Sequence, residues 1–118
     1  MSVFRGERVL LRIFVAEKDR FGRRPLYCAL LEFLREQGFM GATVLRGFAG
    51  FGPGGQMRSI HSLRLSQDLP LVVEAVDSRE KVEKALPRIE QMVSQGLITL
   101  EKVQVVQRVR EEGNSREQ

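Results

Sequence analysis

The chain has 118 residues, 42% of them hydrophobic and 29% charged, which predicts one globular domain over residues 1–118, with a core over about residues 7–109 and a frayed tail over 110–118. No apolar run is long enough to span a membrane, the N-terminus lacks a signal-peptide h-region, and the single cysteine excludes an internal disulfide framework, so we expect a cytoplasmic protein. The net charge of +4 is divided into +6 on residues 1–64 and −2 on the remainder, and no nucleic-acid partner is expected, because the phenylalanines fall at core-like or loop positions.

Residues 7–15 alternate as in a strand. One face carries the apolar side chains of Val9, Leu11, Ile13 and Val15. A charged loop over residues 17–24 follows, and Pro25 suits the first position of a helix. Apolar residues then recur at helical spacing until Gly38, which is a typical C-terminal stop.

Seven of the eleven glycines lie in residues 38–55. Within this stretch, residues 42–46 predict a second strand that continues towards Ala49. Dense glycine lets the backbone adopt positive φ, approach a ligand closely or form a nest of N–H groups around an anion. The alternative is an ordinary strand followed by a flexible loop. A long excursion over residues 52–67 follows, with a short strand at about residues 60–65.

The second half repeats the strand and helix pattern. Residues 69–76 are strongly β-prone and predict the third strand. The residues from Asp77 to Glu80 match a capping box, in which Asp77 accepts from the third amide of the helix and Glu80 reaches back. This helix contains Pro87, which is expected to bend it, and ends at Gly96.

Residues 97–109 alternate as the last strand, so the predicted order is βαββαβ. This is the ferredoxin-like arrangement of the α+β class, a four-stranded antiparallel sheet with two helices on one face. Because side chains alternate across a strand, some apolar residues must lie on the other face. These are Leu10, Phe14, Leu45, Val72, Val76 and Val106. An apolar second face favours burial against another subunit, so we expect an oligomer.

Two sets of polar residues could face a ligand or a partner. On the long loop these are Met57, Arg58, His61 and Arg64. Between the first strand and the helix they are Asp19, Arg20, Arg23 and Arg24. The second set either clamps an anion at the helix N-terminus or forms a charged surface turn, and a lone loop histidine is more often simply solvated. Fifteen arginines against four lysines favour a phosphate or carboxylate ligand, or reflect arginine on solvated surfaces. No catalytic constellation is in view, so an enzyme is not expected.

The glycine stretch contains Gly38-Phe-Met-Gly41-Ala-Thr43-Val44 and Gly50-Phe51-Gly52, and it is similar to the corresponding stretch of the PII signal-transduction proteins. The chain also contains Glu17-Lys-Asp-Arg, Gly22, Pro25-Leu-Tyr, Gly41-Ala-Thr-Val-Leu-Arg-Gly47 and Ser66-Gln-Asp-Leu-Pro. Together these motifs resemble more closely an uncharacterised PII-like family of bacterial and archaeal proteins. The resemblance implies a ferredoxin-like protomer, a homotrimer whose sheets line a central barrel, and ligand clefts between neighbouring subunits.

The same resemblance implies a non-enzymatic regulatory protein that binds a small anionic metabolite, an adenine nucleotide above all, between subunits. By position, the implied ligand-binding residues are Gly41, Thr43, Gly50, Gly52, Arg108 and Arg110. Residues 52–67 would be the mobile loop that responds to the ligand and contacts a partner, such as a membrane transporter or channel.

Two departures from the PII pattern bear on the ligand. One extra residue separates Thr43 from the Gly-Phe-Gly motif, and residues 94–100 replace a Gly-Asp-Gly-Lys type loop before the last strand. Loss of that lysine weakens a triphosphate site, which leaves a monophosphate, a cyclic nucleotide, another anion or a different small molecule open. The alternative on the same scaffold is a metal- or anion-handling trimer, in which three copies of His61 supply ligands that one chain cannot.

Overall fold

Four antiparallel strands and two helices form the body of the protein, in a computed structural model that describes residues 2–61 and 68–110. Four two-residue strands, paired into two hairpins, lie between them. In chain order the elements are β1 (Ser2–Ala16), β2 (Arg20–Phe21), β3 (Arg24–Pro25), α1 (Leu26–Glu36), β4 (Gly41–Arg46), β5 (Ala49–Gly50), β6 (Arg58–Ser59), β7 (Pro70–Asp77), α2 (Arg79–Met92) and β8 (Leu97–Val109).

The main sheet has the strand order β4-β7-β1-β8, and each neighbouring pair is antiparallel. The predicted ferredoxin-like βαββαβ fold is therefore confirmed. Strand β1 is central, so that Ile13 pairs with Val73 on one side and with Ile98 on the other. The bounds of β8 are those expected from its alternation.

The core lies between the helices and one face of the sheet. Leu11 and Ile13 of β1, like Val73 of β7, are almost completely buried against Leu30 of α1 and Ile89 of α2. Burial of such a side chain contributes about 1.5–3 kcal/mol. The period-two pattern of β1 therefore selects the face that the two helices cover.

The outer face of the sheet, the side without helices, is organised by cross-strand pairing into three rows. The first row is Gly41, Val76, Leu10 and Glu101; the second is Thr43, Glu74, Arg12 and Thr99; the third is Leu45, Val72, Phe14 and Leu97. The first and third rows are mainly apolar, and Leu45 and Leu97 are 49% and 50% exposed. Five of the six residues predicted for this face therefore lie on it.

The middle row of the outer face contains Arg12 and Glu74, which form an ionic cluster with Glu101 of the first row, and the sequence patterns did not predict this cluster. Arg12 Nε lies 2.8 Å from Glu74 Oε2, and Arg12 Nη1 lies 3.0 Å from Glu101 Oε1. These hydrogen bonds, first of all the one to Glu74, raise the pKa of Arg12. The outer face thus carries two apolar rows separated by paired charges.

Strand β1 begins at Ser2, five residues earlier than predicted. Its first residues pair only with β8, from Ser2 with Val109 to Arg8 with Val103, because β7 pairs with β1 from Val9 onwards. Residues 2–8 and 103–109 therefore form a two-stranded arm beyond the helices. The placement of Val106 on the outer face was wrong. Val106 pairs with Arg5, and Arg5 lies an odd number of residues from Leu10 along β1, so both lie on the opposite side of the sheet from Leu10.

The ends of α1 follow the sequence signals closely. Pro25 was expected at the first helical position; it is the N-cap residue, and the helix begins one residue later at Leu26. At the other end Gly38 has φ +78°, a conformation that glycine adopts readily. The Gly38 N–H donates to Arg35 O at 3.0 Å and the Phe39 N–H donates to Leu34 O at 3.2 Å. This is the Schellman pattern, and it satisfies carbonyls that the helix itself leaves open.

The start of α2 differs from the predicted capping box. Ser78 is the N-cap residue, and its Oγ accepts from the Lys81 N–H at 3.1 Å. The buried Asp77 instead accepts from the Met40 N–H at 3.0 Å and the Ser78 N–H at 2.7 Å. The Asp77 carboxylate therefore binds the backbone of Met40, just before β4. The predicted N-cap role of Asp77 was wrong, because the next residue, Ser78, is the N-cap residue.

The end of α2 also came earlier than expected. The helix stops at Met92, and Val93 caps it in an extended conformation, with its N–H donating to Ile89 O. The assignment of Gly96 as the stop was therefore wrong. Pro87 lies inside the helix, where its ring removes one backbone donor.

The capping assignment can be tested by substitution. Ser78→Ala removes the acceptor for the Lys81 N–H and is expected to lower the free energy of unfolding by about 1 kcal/mol. Glu80→Ala is the control, because Glu80 is exposed in the first turn and its removal is expected to cost less than about 0.5 kcal/mol. Chemical denaturation at one protein concentration measures both, and a larger loss from Glu80→Ala than from Ser78→Ala would contradict Ser78 as the cap and favour the predicted capping box.

Candidate ligand cleft

The glycine stretch after β4 turns back on itself as a hairpin. Strand β5 pairs with β6, Ala49 with Ser59 and Gly50 with Arg58. Gly55 turns with φ +73°, and its N–H donates to Gly52 O at 2.8 Å. Residues 49–59 are called the β5–β6 hairpin below.

The hairpin corrects two expectations about this stretch. The second strand ends at Arg46 and does not continue, because Ala49 pairs with β6 instead. A short strand lies at Arg58–Ser59; of the residues 60–65 expected to form one, 60 and 61 form a turn and 62–65 lie outside the described residues.

Two glycines let the hairpin approach the start of β7. A Cβ on Gly47 would lie 3.1 Å from Pro70 Cγ, and one on Gly50 would lie 3.4 Å from the same atom. The Gly47 N–H also donates to Pro70 O at 2.8 Å. The glycine density predicted close approach to a ligand, whereas Gly47 and Gly50 allow close packing of this stretch on Pro70.

Two carboxylates hold the hairpin root against the end of β1. Asp68 accepts from the Lys18 N–H at 2.8 Å and from Arg58 Nε at 3.1 Å. Glu17 accepts from Arg46 Nη2 at 3.0 Å and from the Leu69 N–H at 3.3 Å. The residues after β1 and before β7 are thereby joined to Arg46 at the end of β4 and to Arg58 of β6.

A cleft of about 470 Å³ lies between the hairpin and the strand ends. Its walls are formed by the ends of β1 and β7, the turn before β8, and the hairpin backbone. The lining residues are Phe14, Val15, Ala16, Asp19, Gly47, Ala49, Gly50, Phe51, Gly52, Pro53, Gly54, Gln56, Arg58, Pro70, Leu71, Val72, Gln95 and Gly96. A largely apolar cavity of this size with a few polar groups is typical of small-molecule sites.

The cleft opens onto the outer face of the sheet. Phe14 and Val72 line it and belong to the third outer row, whose ends are the half-exposed Leu45 and Leu97. A molecule in the cleft would therefore lie beside the face that the helices leave uncovered.

The turn before β8 forms the opposite wall at close quarters. A Cβ on Gly96 would lie 2.5 Å from the Phe14 carbonyl oxygen, and one on Gly54 would lie 2.7 Å from Gln95 Nε2. The absence of a side chain at Gly96 thus lets the start of β8 lie close to β1. Gly96 does not end α2.

Of the residues assigned to ligand binding, Gly50 and Gly52 line the cleft. Thr43 lies on the outer face beside Glu74. Gly41 lines a separate cavity of about 300 Å³ between α1 and β4.

Arg108 and Arg110 lie at the other end of the molecule. Arg108 pairs with Val3, whereas Phe14 at the cleft pairs with Leu97. Eleven residues of strand separate these positions, a span of about 36 Å at about 3.3 Å per residue. A single chain therefore does not bring these arginines to its own cleft.

The residues assigned to the partner loop are divided. Met57 and His61 are exposed, and the His61 N–H donates to Ser59 Oγ at 3.1 Å. Arg58 is instead half-buried in the cleft wall beside Asp68. The only sequence signal for this position was Asp68 itself, which belongs to the motif Ser66-Gln-Asp-Leu-Pro at the end of the loop. Arg64 lies outside the described residues.

The charged segment after β1 forms the β2–β3 hairpin, with Gly22 at φ +63°. Asp19 Oδ2 accepts from the Ala16 N–H at 3.0 Å, and Arg24 Nη2 lies 2.8 Å from Glu32 Oε2. Arg20 donates to the Arg23 carbonyl. These contacts fit the charged surface turn rather than an anion clamp.

Across residues 2–61 and 68–110, no three His, Cys, Asp or Glu side chains are grouped closely enough to hold a metal ion. Neither helix of the described chain is long and apolar enough to cross a membrane.

Comparison with protein families gives one match over most of the chain. The model of the family DUF190, described as "Uncharacterized ACR", matches residues 8–105. A UPF0166 protein of Aquifex aeolicus (strain VF5) is 42% identical over 100 residues, which cover 85% of this chain and 94% of the relative.

Solved structures with the same fold include PII-like proteins. CPII, a nitrogen regulatory PII-like protein from Thiomonas intermedia K12 bound to ADP, AMP and bicarbonate, superposes with a TM-score of 0.61 at 16% identity, covering 89% of this chain and 99% of that one. A PII-like protein from Thermus thermophilus gives 0.56 at 18% identity, covering 90% and 92%. At these identities the likeness concerns the fold.

The cleft wall can be tested through Gly96. Gly96→Ala places a methyl group against the Phe14 carbonyl oxygen and is expected to lower the free energy of unfolding by about 1–3 kcal/mol. Gly52→Ala is the control, since no atom lies within 4 Å of the position that its Cβ would take and its φ is not positive. Denaturant midpoints of the ligand-free proteins decide the matter, and equal stabilities would contradict the tight contact.

Proposed function

The chain belongs to the DUF190 family and has the PII-like fold, and on that premise we propose that it is a regulatory protein rather than an enzyme. It binds a small anionic ligand, an adenine nucleotide, in clefts between the subunits of a homotrimer. The observation that carries this proposal is the glycine-walled cleft, which opens onto an uncovered and partly apolar sheet face.

The lining of the cleft suits a nucleotide. Phe14, Phe51 and Val72 offer apolar surface for a purine ring, which stacks well on aromatic side chains. The hairpin contributes backbone to the lining at Gly50 and Gly52, which have no side chain of their own. CPII, which shares the fold, was crystallised with ADP and AMP.

The position of the cleft supports a site shared between subunits. A neighbour seated on the outer face would cover Leu45 and Leu97 and close the open side of the cleft. Arg108 lies about 36 Å along the strands from the cleft of its own chain, and Arg110 lies two residues beyond it. They can contribute to a phosphate site only in the cleft of another copy.

Signalling would proceed through the hairpin and the rest of loop 52–67. A ligand that contacts the hairpin backbone binds one arrangement of the hairpin more tightly than others, and this difference in affinity shifts the population of these arrangements. The partner that reads this change would be another protein, with a membrane transporter or channel as the expected class and the cytoplasm as the place of action.

The trimer is tested by mass measurement in solution. Light scattering on the eluting protein is expected to give about three times the 13.4 kDa of one chain, because the outer face needs a neighbour to cover it. A Leu45→Glu, Leu97→Glu double variant puts charges on that face and is expected to lower the mass. A wild-type monomer would refute the shared cleft.

The ligand is tested by a thermal-shift screen of ADP, AMP, ATP and cyclic AMP. We expect ADP or AMP to raise the midpoint of unfolding, and Arg108→Ala to reduce that rise, because a charge-assisted phosphate contact is lost. Arg79→Ala is the charge-matched control, since Arg79 is an exposed α2 residue near Glu83.

Divalent metal ions in the same screen distinguish the alternative, a metal-handling trimer, from the nucleotide-binding protein. Stabilisation by a divalent cation that His61→Ala removes would favour the metal-handling trimer. Stabilisation by nucleotide that survives Arg108→Ala unchanged would remove that arginine from the proposed site.

A further inference from the structure

Arg58 is held in the cleft wall by one ion pair and two longer contacts. Its Nε lies 3.1 Å from Asp68 Oδ2, with the two side chains 22% and 30% exposed. Its Nη1 and Nη2 lie 3.4 Å from Gln56 O and 3.5 Å from Gln56 Oε1. Hydrogen bonds of that length are near the limit of the interaction, so the outer edge of the guanidinium has weakly bound donors.

Among the described residues that line the cleft, Arg58 is the only cation, and Asp19 is the only carboxylate. Gln56 lines the cleft as well, so the weakly bound edge of Arg58 is shared with a residue of the cleft wall. The guanidinium presents a planar pair of donors that matches two oxygens of a phosphate or a carboxylate.

We infer that Arg58 is the cation that the chain itself supplies to an oxyanion in this cleft, and that Asp68 competes with the ligand for it. The inference rests on the proposed function, and it names a contact and a coupling that the proposal leaves open. Asp68 stays in place when Arg58 turns, because its Oδ1 accepts from the Lys18 N–H at 2.8 Å.

The competition couples occupancy of the cleft to the hairpin. Arg58 belongs to β6, and its ion pair with Asp68 holds β6 beside the residues that follow β1. A partly exposed ion pair is weak, so an oxyanion that engages the guanidinium more fully can replace it. Binding then frees β6 from the end of β1, while an empty cleft keeps it there.

Two substitutions have opposite expected effects on binding. Arg58→Gln removes the charge and is expected to weaken ADP binding at least about tenfold, because a charge-assisted bond is lost. Asp68→Asn keeps an oxygen for the Lys18 N–H but removes the competing charge, and it is expected to tighten binding by about two- to fivefold. A purely structural role for the pair would make both variants weaker.

The matched control is the neighbouring ion pair of Arg46 and Glu17, in which Arg46 Nη2 lies 3.0 Å from Glu17 Oε1. Neither residue lines the cleft. Arg46→Gln is expected to leave the dissociation constant for ADP within about twofold. If Arg58→Gln does not fold, Arg58→Lys takes its place. It keeps the charge but loses the planar pair of donors, and it is expected to bind several times more weakly.

Calorimetric titration of the full chain with ADP, pyrophosphate and bicarbonate completes the test. ADP binding that neither Arg58→Gln nor Asp68→Asn alters would overturn the inference and leave the proposed function standing. Pyrophosphate or bicarbonate binding with the expected opposite signs, but no ADP binding, would support the inference and remove the nucleotide. Wild-type protein that binds none of the three probes would overturn both.

Discussion

The fold depends on the central position of β1, which pairs with β7 on one side and with β8 on the other. Its alternate residues must point to opposite faces, so burying Leu11 and Ile13 beneath the helices necessarily turns Leu10, Arg12 and Phe14 outward. Two helices are enough to cover only one face. The outer face, and the cleft beside it, are consequences of that single constraint.

The cleft forms where the ladder of β1 ends. Beyond Ala16 the pairing with β7 is continued by Glu17, Lys18, Asp68 and Leu69, through backbone and carboxylate hydrogen bonds. The hairpin can approach this junction only because Gly47 and Gly50 have no side chain to meet Pro70. Glycine loses much conformational entropy on folding, and here that cost is offset by packing that also leaves backbone facing a cavity.

Local patterns predicted what local physics determines. The stop at Gly38 and the alternation of Leu97–Val109 needed only neighbouring residues. The early start of β1 at Ser2 was not predictable in this way, because its partner Val109 is remote in sequence and the first residues lack a regular apolar pattern. For the same reason Arg58 was assigned to the ligand- or partner-facing set on the long loop without a position in the cleft wall, since its partner Asp68 follows ten residues later.

The ionic row on the outer face bears on how the proposed trimer would form. Burying Arg12 against a neighbour removes water from three charges, and that desolvation is costly. Here, however, Arg12 already reaches both Glu74 and Glu101 within its own chain, so none of these three charges would be buried without a partner. The favourable free energy must then come from the apolar rows on either side, Leu10 with Val76 and Phe14 with Leu97. A row of fixed charges between two apolar rows penalises any displaced alignment of the neighbour, because a shift by one row would place paired charges against apolar side chains. In the proposed trimer, the same alignment would decide whether an arginine from one arm meets the cleft of the next subunit.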